Sequence, residues 1–358
     1  MGVALYVCST SHFSGKTAIC AGIGKRLLAD GLSFGYMKPL SVADYRAEDL
    51  PLDEDARLIT ALSGQECVAD LVTPTRFSVQ DIEAVLLTDS EGSEHIDRLR
   101  HAYQQVSRER DVVLLEGGGS LSEGAVVDLA PAPAAQALQA SVLVVLKYMS
   151  DMQMVDEALT AGSILDVFML GVVLNVIPPE RMQFVEEVIV PALLRRGVRV
   201  FAVLPQEPLL RAVSVREMTE ALEGTILCAA QNQDALVENL MVGAMNVDVA
   251  LNYFRTKPNK AVFTGGDRLD IQLAALETST RCLVLTGNLP PSPVTLNRAE
   301  EVGVPVVSVK HDTLTAVEIT EGCLGKTRFR HERKIQVFDR LLDEHFDFDA
   351  LFVSLGLK

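Results

Sequence analysis

Ser9-Thr10-Ser11-His12-Phe13-Ser14-Gly15-Lys16-Thr17 follows the apolar run Val3-Ala4-Leu5-Tyr6-Val7-Cys8 directly and leads into Ala18-Ile19-Cys20-Ala21, the start of a helical pattern that runs to position 29. A strand that turns through Gly-Lys-Thr into a helix is the setting of a phosphate-binding loop. Backbone N–H groups and the helix N-terminus point at a polyphosphate, a lysine meets the β/γ charge, and a hydroxyl serves Mg²⁺. Lys16 and Thr17 take those last two places, and Thr10, Ser11, His12, Phe13, Ser14 and Gly15 make the cradle. The first glycine of G-x-x-x-x-G-K-[ST] is Thr10 here, so the loop departs at one glycine and is intact at its end. The plain alternative is a strand–helix turn with a surface lysine.

Outward from this loop, apolar runs at 33–37, 112–115, 141–146, 171–175 and 198–204 alternate with helical patterns at 94–107, 152–163 and 183–195. Near-continuous Val/Leu runs suit parallel strands covered on both faces. The alternation predicts an α/β fold, a P-loop NTPase-type parallel sheet with helices on both faces. Sites of such sheets lie at the carboxyl ends of the strands. The pattern loosens near 220–234, which reads as a linker. A smaller alternating block follows, with strands at 261–264, 282–286 and 304–309 and helices at 270–277 and 297–301. The expected division is 1–222, 223–335 and a helical tail at 336–358.

Three further side chains suit phosphoryl chemistry. Glu116 ends Val112-Val113-Leu114-Leu115 and precedes Gly117-Gly118-Gly119, where glycines let a ligand approach the backbone. A carboxylate there can bind Mg²⁺ beside phosphate oxygens; alternatively it caps a turn. Asp55, within Asp53-Glu54-Asp55-Ala56-Arg57, is a second metal candidate or a solvated first helical turn. Lys38-Pro39 ends the second strand, and Lys38 can neutralise an acceptor or a transferring phosphoryl group, or else snorkel at the surface.

Composition narrows the partners. Against 32 Lys+Arg stand 48 Asp+Glu, a formal net charge of −16, which argues against nucleic acid or an anionic membrane. Hydrophobic residues at 48 % are enough for a core. No apolar run reaches the ~18–20 residues of a membrane span. The six cysteines are scattered without a C-x-x-C pair, so a reducing cytoplasm is expected.

Ser9–Thr17, Lys38-Pro39, Asp55 and Glu116–Gly119, in this order, resemble dethiobiotin synthetase and its relatives, among them the cobyrinic acid a,c-diamide synthases and the N-terminal part of long bacterial phosphotransacetylases. The resemblance covers about residues 1–220. It implies ATP and Mg²⁺ held by Lys16 and Thr17, metal held by Asp55 and Glu116, and Lys38 assisting at the substrate end. Asn175 matches the family's base-contacting asparagine, and Pro205-Gln206-Glu207-Pro208 matches the loop near the base, which places Pro205 and Glu207 among the nucleotide-binding residues. Ser9, Ser11 and Phe13 stand where the synthetase has its opening glycine and acidic residues, so that enzyme's diamino acid substrate does not carry over. Gly322-Cys323-Leu324-Gly325 looks like a nucleophile elbow, yet too little chain remains for a glutaminase domain, and Cys323 reads as an inert buried thiol.

Val242-Gly243-Ala244-Met245 and Thr264-Gly265-Gly266-Asp267-Arg268 resemble the DRTGG domain over about residues 225–330. With Thr286-Gly287-Asn288, these turns form either a small-ligand site or plain glycine turns. The resemblance implies self-association, hence a homodimer. The basic run Lys326–Lys334 reads as a solvated face or as a salt-bridge partner for the acidic remainder. No phosphotransacetylase catalytic domain follows, so no acetyl transfer is expected. Three functions compete. One is Mg-ATP-dependent activation of a carboxylate or carbamate, in the manner of a ligase. Another is a regulatory protein that senses a nucleotide or metabolite and acts through its second domain. The third is an NTPase switch in a multiprotein complex.

Overall fold

The computed structural model describes residues 2–43, 54–87, 93–325 and 331–358. It divides into two compact units, Met1–Gln206 with Phe329–Lys358, and Glu207–Arg328.

The first unit is built on a six-stranded sheet ordered Phe34–Met37, Val112–Glu116, Val3–Ser9, Ser141–Lys147, Met169–Ile177, Val200–Pro205. Every pairing is parallel. Val112–Glu116 is buried at all five positions, which explains its unbroken apolar run. Helices Lys16–Ala29, Ser93–Val106, Pro131–Leu138 and Asp151–Leu165 cover the sheet. The chain's first strand sits between Val112–Glu116 and Ser141–Lys147, where the strand order reverses. Loops after these strands therefore flank the crevice in which such sheets bind ligands.

Glu332–His345 belongs to this unit. Gly22 makes room for it: a Cβ there would lie 2.0 Å from Leu342 Cδ1. Lys25 and Asp339 pair at 2.7 Å between the same two helices. Ala202 and Phe346 form a β-bridge, and the Asp347 amide donates to the Phe201 carbonyl at 2.8 Å. The final helices are thus packed into the first unit.

The second unit holds a five-stranded sheet ordered Thr225–Cys228, Val306–Ser308, Thr280–Thr286, Lys260–Gly265, Asn239–Val242. All pairings are parallel except the first, which is antiparallel. The reading of 220–234 as a linker is corrected: Thr225–Cys228 is an edge strand, too short and half-exposed to show an apolar run. Strands Leu40–Ala43 and Thr75–Ser78, which pair only with each other, were also not expected.

Candidate functional site

The loop after the first strand closes on itself before the helix starts. Ser9 Oγ donates to the Ser11 carbonyl at 2.8 Å and accepts from Lys16 Nζ at 2.9 Å. Gly15 caps the helix at φ 95, a left-handed conformation that suits glycine, and its α-carbon faces the Asn175 amide. Ser14 Oγ is buried with no hydrogen-bond partner. A buried hydroxyl left open at the mouth of a helix is a donor awaiting an acceptor. Lys16 is 9 % exposed. Burial pushes its ammonium below the ordinary lysine value, while nearby Glu116 acts in the opposite sense.

Thr17 Oγ1 donates to Glu116 Oε1 at 2.7 Å, and Tyr36 Oη donates to Glu116 Oε2 at 2.7 Å. Tyr36 pairs with Leu114, so it shares a sheet face with Glu116 two residues on. This phenol escaped the sequence reading, because it needs the register of two strands far apart in the chain. Among the described residues, no group of three or more His, Cys, Asp or Glu could hold a metal. What is present is one carboxylate and one hydroxyl. Those hard oxygen donors fit Mg²⁺ bound beside phosphates.

The glycines after Glu116 serve the chain's own side chains. A Cβ on Gly118 would meet the Glu123 carboxylate, and one on Gly119 would meet the His12 ring. Phe13 stands at the loop tip, 52 % exposed and at φ 53. Lys38 is half-buried at the end of its strand, with its amide donating to the Val72 carbonyl at 2.7 Å. Asp55 falls in helix Glu54–Ser63, but its side chain lies outside the described residues.

Asn175 braces the loop. Its Nδ2 donates to the Ser14 carbonyl at 2.8 Å, and its Oδ1 accepts from the Val176 amide at 2.9 Å. Val176 sits at φ 62, an outlier for a β-branched residue, where the strand register shifts. Strain of this kind persists where the surroundings enforce it. Pro205 closes the last strand opposite Ile177. Glu207 opens the second unit, where its side chain caps the short helix Pro208–Arg211.

A cavity of about 760 Å³ adjoins the loop at Thr10, with Ser120, Ser122, Asp156 and Glu157 in its wall. Thr10 Oγ1 donates to Glu157 Oε2 at 2.5 Å. Among the described residues, no Lys or Arg lines this space, and Lys38 is not in its wall.

In the second unit the motif residues are spent on the fold. Gln272 is fully buried and donates to the Gly265 and Gly266 carbonyls, while accepting from Thr295 Oγ1 at 2.7 Å. Thr264 Oγ1 donates to the Gly243 carbonyl, and Arg268 to the Met245 carbonyl. Cys323 ends helix Thr313–Cys323 with its thiol on the Ile319 carbonyl, half-buried rather than buried.

The family model for an AAA domain matches residues 3–214. The chain belongs to that family. A second model, the DRTGG domain, matches residues 217–323. The phosphate acetyltransferase of Nitratidesulfovibrio vulgaris is 25 % identical over 97 % of this chain, which spans 51 % of that protein. The chain thus covers about half the length of the curated relative it matches. The ATP-dependent dethiobiotin synthetase BioD of Caldicellulosiruptor saccharolyticus is 24 % identical over 33 % of the chain and 49 % of the synthetase. Among solved structures, the septum site-determining protein MinD of Pyrococcus horikoshii, complexed with Mg-ADP, covers 59 % of this chain and 84 % of its own at 18 % identity, with a TM-score of 0.36. The resemblance to dethiobiotin synthetase joined to a DRTGG domain therefore stands, and the AAA domain gives the chain a nucleotide-binding character. No described helix is long and apolar enough to cross a membrane.

Proposed function

We propose that the chain binds Mg-ATP in the Ser9–Thr17 loop and directs the γ-phosphoryl group to a carboxylate or carbamate oxygen. One observation carries the reading: Lys16 and Thr17 begin a helix whose N-terminus abuts a buried carboxylate, with the unpartnered Ser14 hydroxyl between loop and helix. Lys16 would neutralise phosphate charge, and the helix N-terminus would orient it. Thr17 and Glu116 would hold Mg²⁺, which when bound supplies charge neutralisation on phosphate oxygens. Asp55 completes the proposed metal set, and Lys38 the acceptor end. The Asn175 side chain is engaged with the loop itself, which supports a role in shaping the cradle alongside the base contact expected of it. Pro205 and Glu207 remain proposed neighbours of the base.

A second reading has its own support. The cavity beside Thr10 carries Asp156 and Glu157 and, among the described residues, no Lys or Arg. Two carboxylates suit an anionic acceptor poorly, which favours nucleotide sensing without carboxylate activation. A homodimer and action through the DRTGG domain belong to this reading.

Thermal shift with ATP and GTP, each with and without Mg²⁺, tests the shared step, and ADP release with added carboxylic acids and amines separates the two. ADP formation that requires an acid supports the ligase reading. Saturable binding without turnover supports the sensor. No shift with any nucleotide overturns both.

A further inference from the structure

We propose that Tyr36 is a positioning residue for a divalent cation at Glu116, an assignment that rests on the Mg-nucleotide reading above. Glu116 is 3 % exposed, and polar oxygens so buried call for hydrogen-bond partners. Thr17 Oγ1 meets Oε1 and Tyr36 Oη meets Oε2, each at 2.7 Å. The two partners differ in kind. Thr17 lies at the mouth of the phosphate loop, and its hydroxyl is the one a loop-bound cation would take. Tyr36 is fully buried within a strand that pairs with the Glu116 strand. Its phenol sits on the inner oxygen and fixes the rotation of the carboxylate.

That division leaves Oε1 as the oxygen offered to the cation. When the Thr17 hydroxyl turns to metal, Oε1 is released while Oε2 stays held. Without the phenol, the carboxylate is free to rotate, and its inner oxygen is left buried and unpaired. Partners of a metal-binding side chain typically change metal affinity by about 10–100-fold when removed.

The test is calorimetric titration of Mg²⁺ into the full chain saturated with ATP, compared with ATP binding in EDTA. Tyr36→Phe is expected to weaken Mg²⁺ at least about 10-fold and to leave metal-free ATP binding within twofold. In a Glu116→Gln background, adding Tyr36→Phe is expected to have no further effect on Mg²⁺, because the proposed action of the phenol on the metal runs through the carboxylate. Should phenylalanine prevent folding, fluorotyrosine at position 36 keeps the shape and alters only the strength of the donor, and Mg²⁺ affinity is expected to shift there too. Unchanged Mg²⁺ affinity in the tyrosine variants, with ordinary binding in the unsubstituted chain, overturns the role of Tyr36 alone. Equal loss of metal-free ATP binding also overturns it, because the phenol would then support the loop at large. Mg²⁺-independent ATP binding in the unsubstituted chain overturns the metal reading and this assignment together.

Discussion

The Thr17 hydroxyl and the Glu116 carboxylate, 99 positions apart, meet at 2.7 Å. The loop helix and the neighbouring strand end are joined by that bond, so the phosphate loop is tied to the sheet as well as to its own helix.

Lys16→Ala is expected to remove nucleotide recognition. In the unsubstituted chain, ATP at 100 times its dissociation constant should stabilise by about 2.7 kcal/mol. The variant should melt at the same temperature with and without ATP. A retained shift in the thermal melt would show that the nucleotide does not depend on this ammonium.

Gly15→Ala should cost stability and binding together. Its φ of 95 is strained for any side chain, and the new Cβ would sit 2.6 Å from Asn175 Nδ2. A left-handed non-glycine residue costs about 1–3 kcal/mol. The loss is to be read from urea unfolding. Pushing Asn175 away also frees the Ser14 carbonyl, so ATP affinity should fall more than stability alone explains.

How much of this was legible in the chain depends on distance along it. Ser9–Thr17 is one continuous stretch at a strand–helix junction, and Glu116 ends an apolar run before three glycines. Both show in a linear reading. The Tyr36–Glu116 bond depends on which strands are neighbours, and the Gly22–Leu342 contact on where a remote helix returns. Lys25 and Asp339, which mark that return, are 314 positions apart. Thr225–Cys228 was missed for a different reason: an edge strand with alternating exposure carries too little apolar character to stand out from a linker.

Leu342→Ala should destabilise the first unit by about 2–5 kcal/mol, the usual cost of a buried leucine deletion. Leu342 is 2 % exposed and fills the space Gly22 leaves. Chemical denaturation followed by circular dichroism measures the change. A cost below about 0.5 kcal/mol, the range of surface substitutions, would mean that the helix is not bound to Lys16–Ala29 in solution.

Lys260 makes stability depend on pH in the second unit. It is fully buried, with Nζ donating to the Ser279 carbonyl at 3.1 Å. Burial lowers it from 10.5 to about 8. Between those values the unfolded chain holds more protons than the folded one, so this group's contribution to stability rises with pH there. Below about 8 both states are protonated and the burial penalty is at its full size. Lys260→Met is therefore expected to be more stable than the parent near neutrality, with the advantage shrinking as pH climbs towards 10.5. Urea midpoints at pH 7 and pH 10 check it. An advantage that does not change between them refutes the titration.

The bridge between Ala202 and Phe346 brings the departing and returning chain side by side on the last strand of the first sheet. The segment from 207 to 328 is thus an insertion between two stretches of the first unit. Replacing it with a flexible glycine–serine linker long enough to reach helix Glu332–His345 would keep the phosphate loop, its sheet and the C-terminal brace in one chain. Cutting the gene after position 206 would instead strip away the helix that seals Gly22, and the surviving fragment would be the poorer for it.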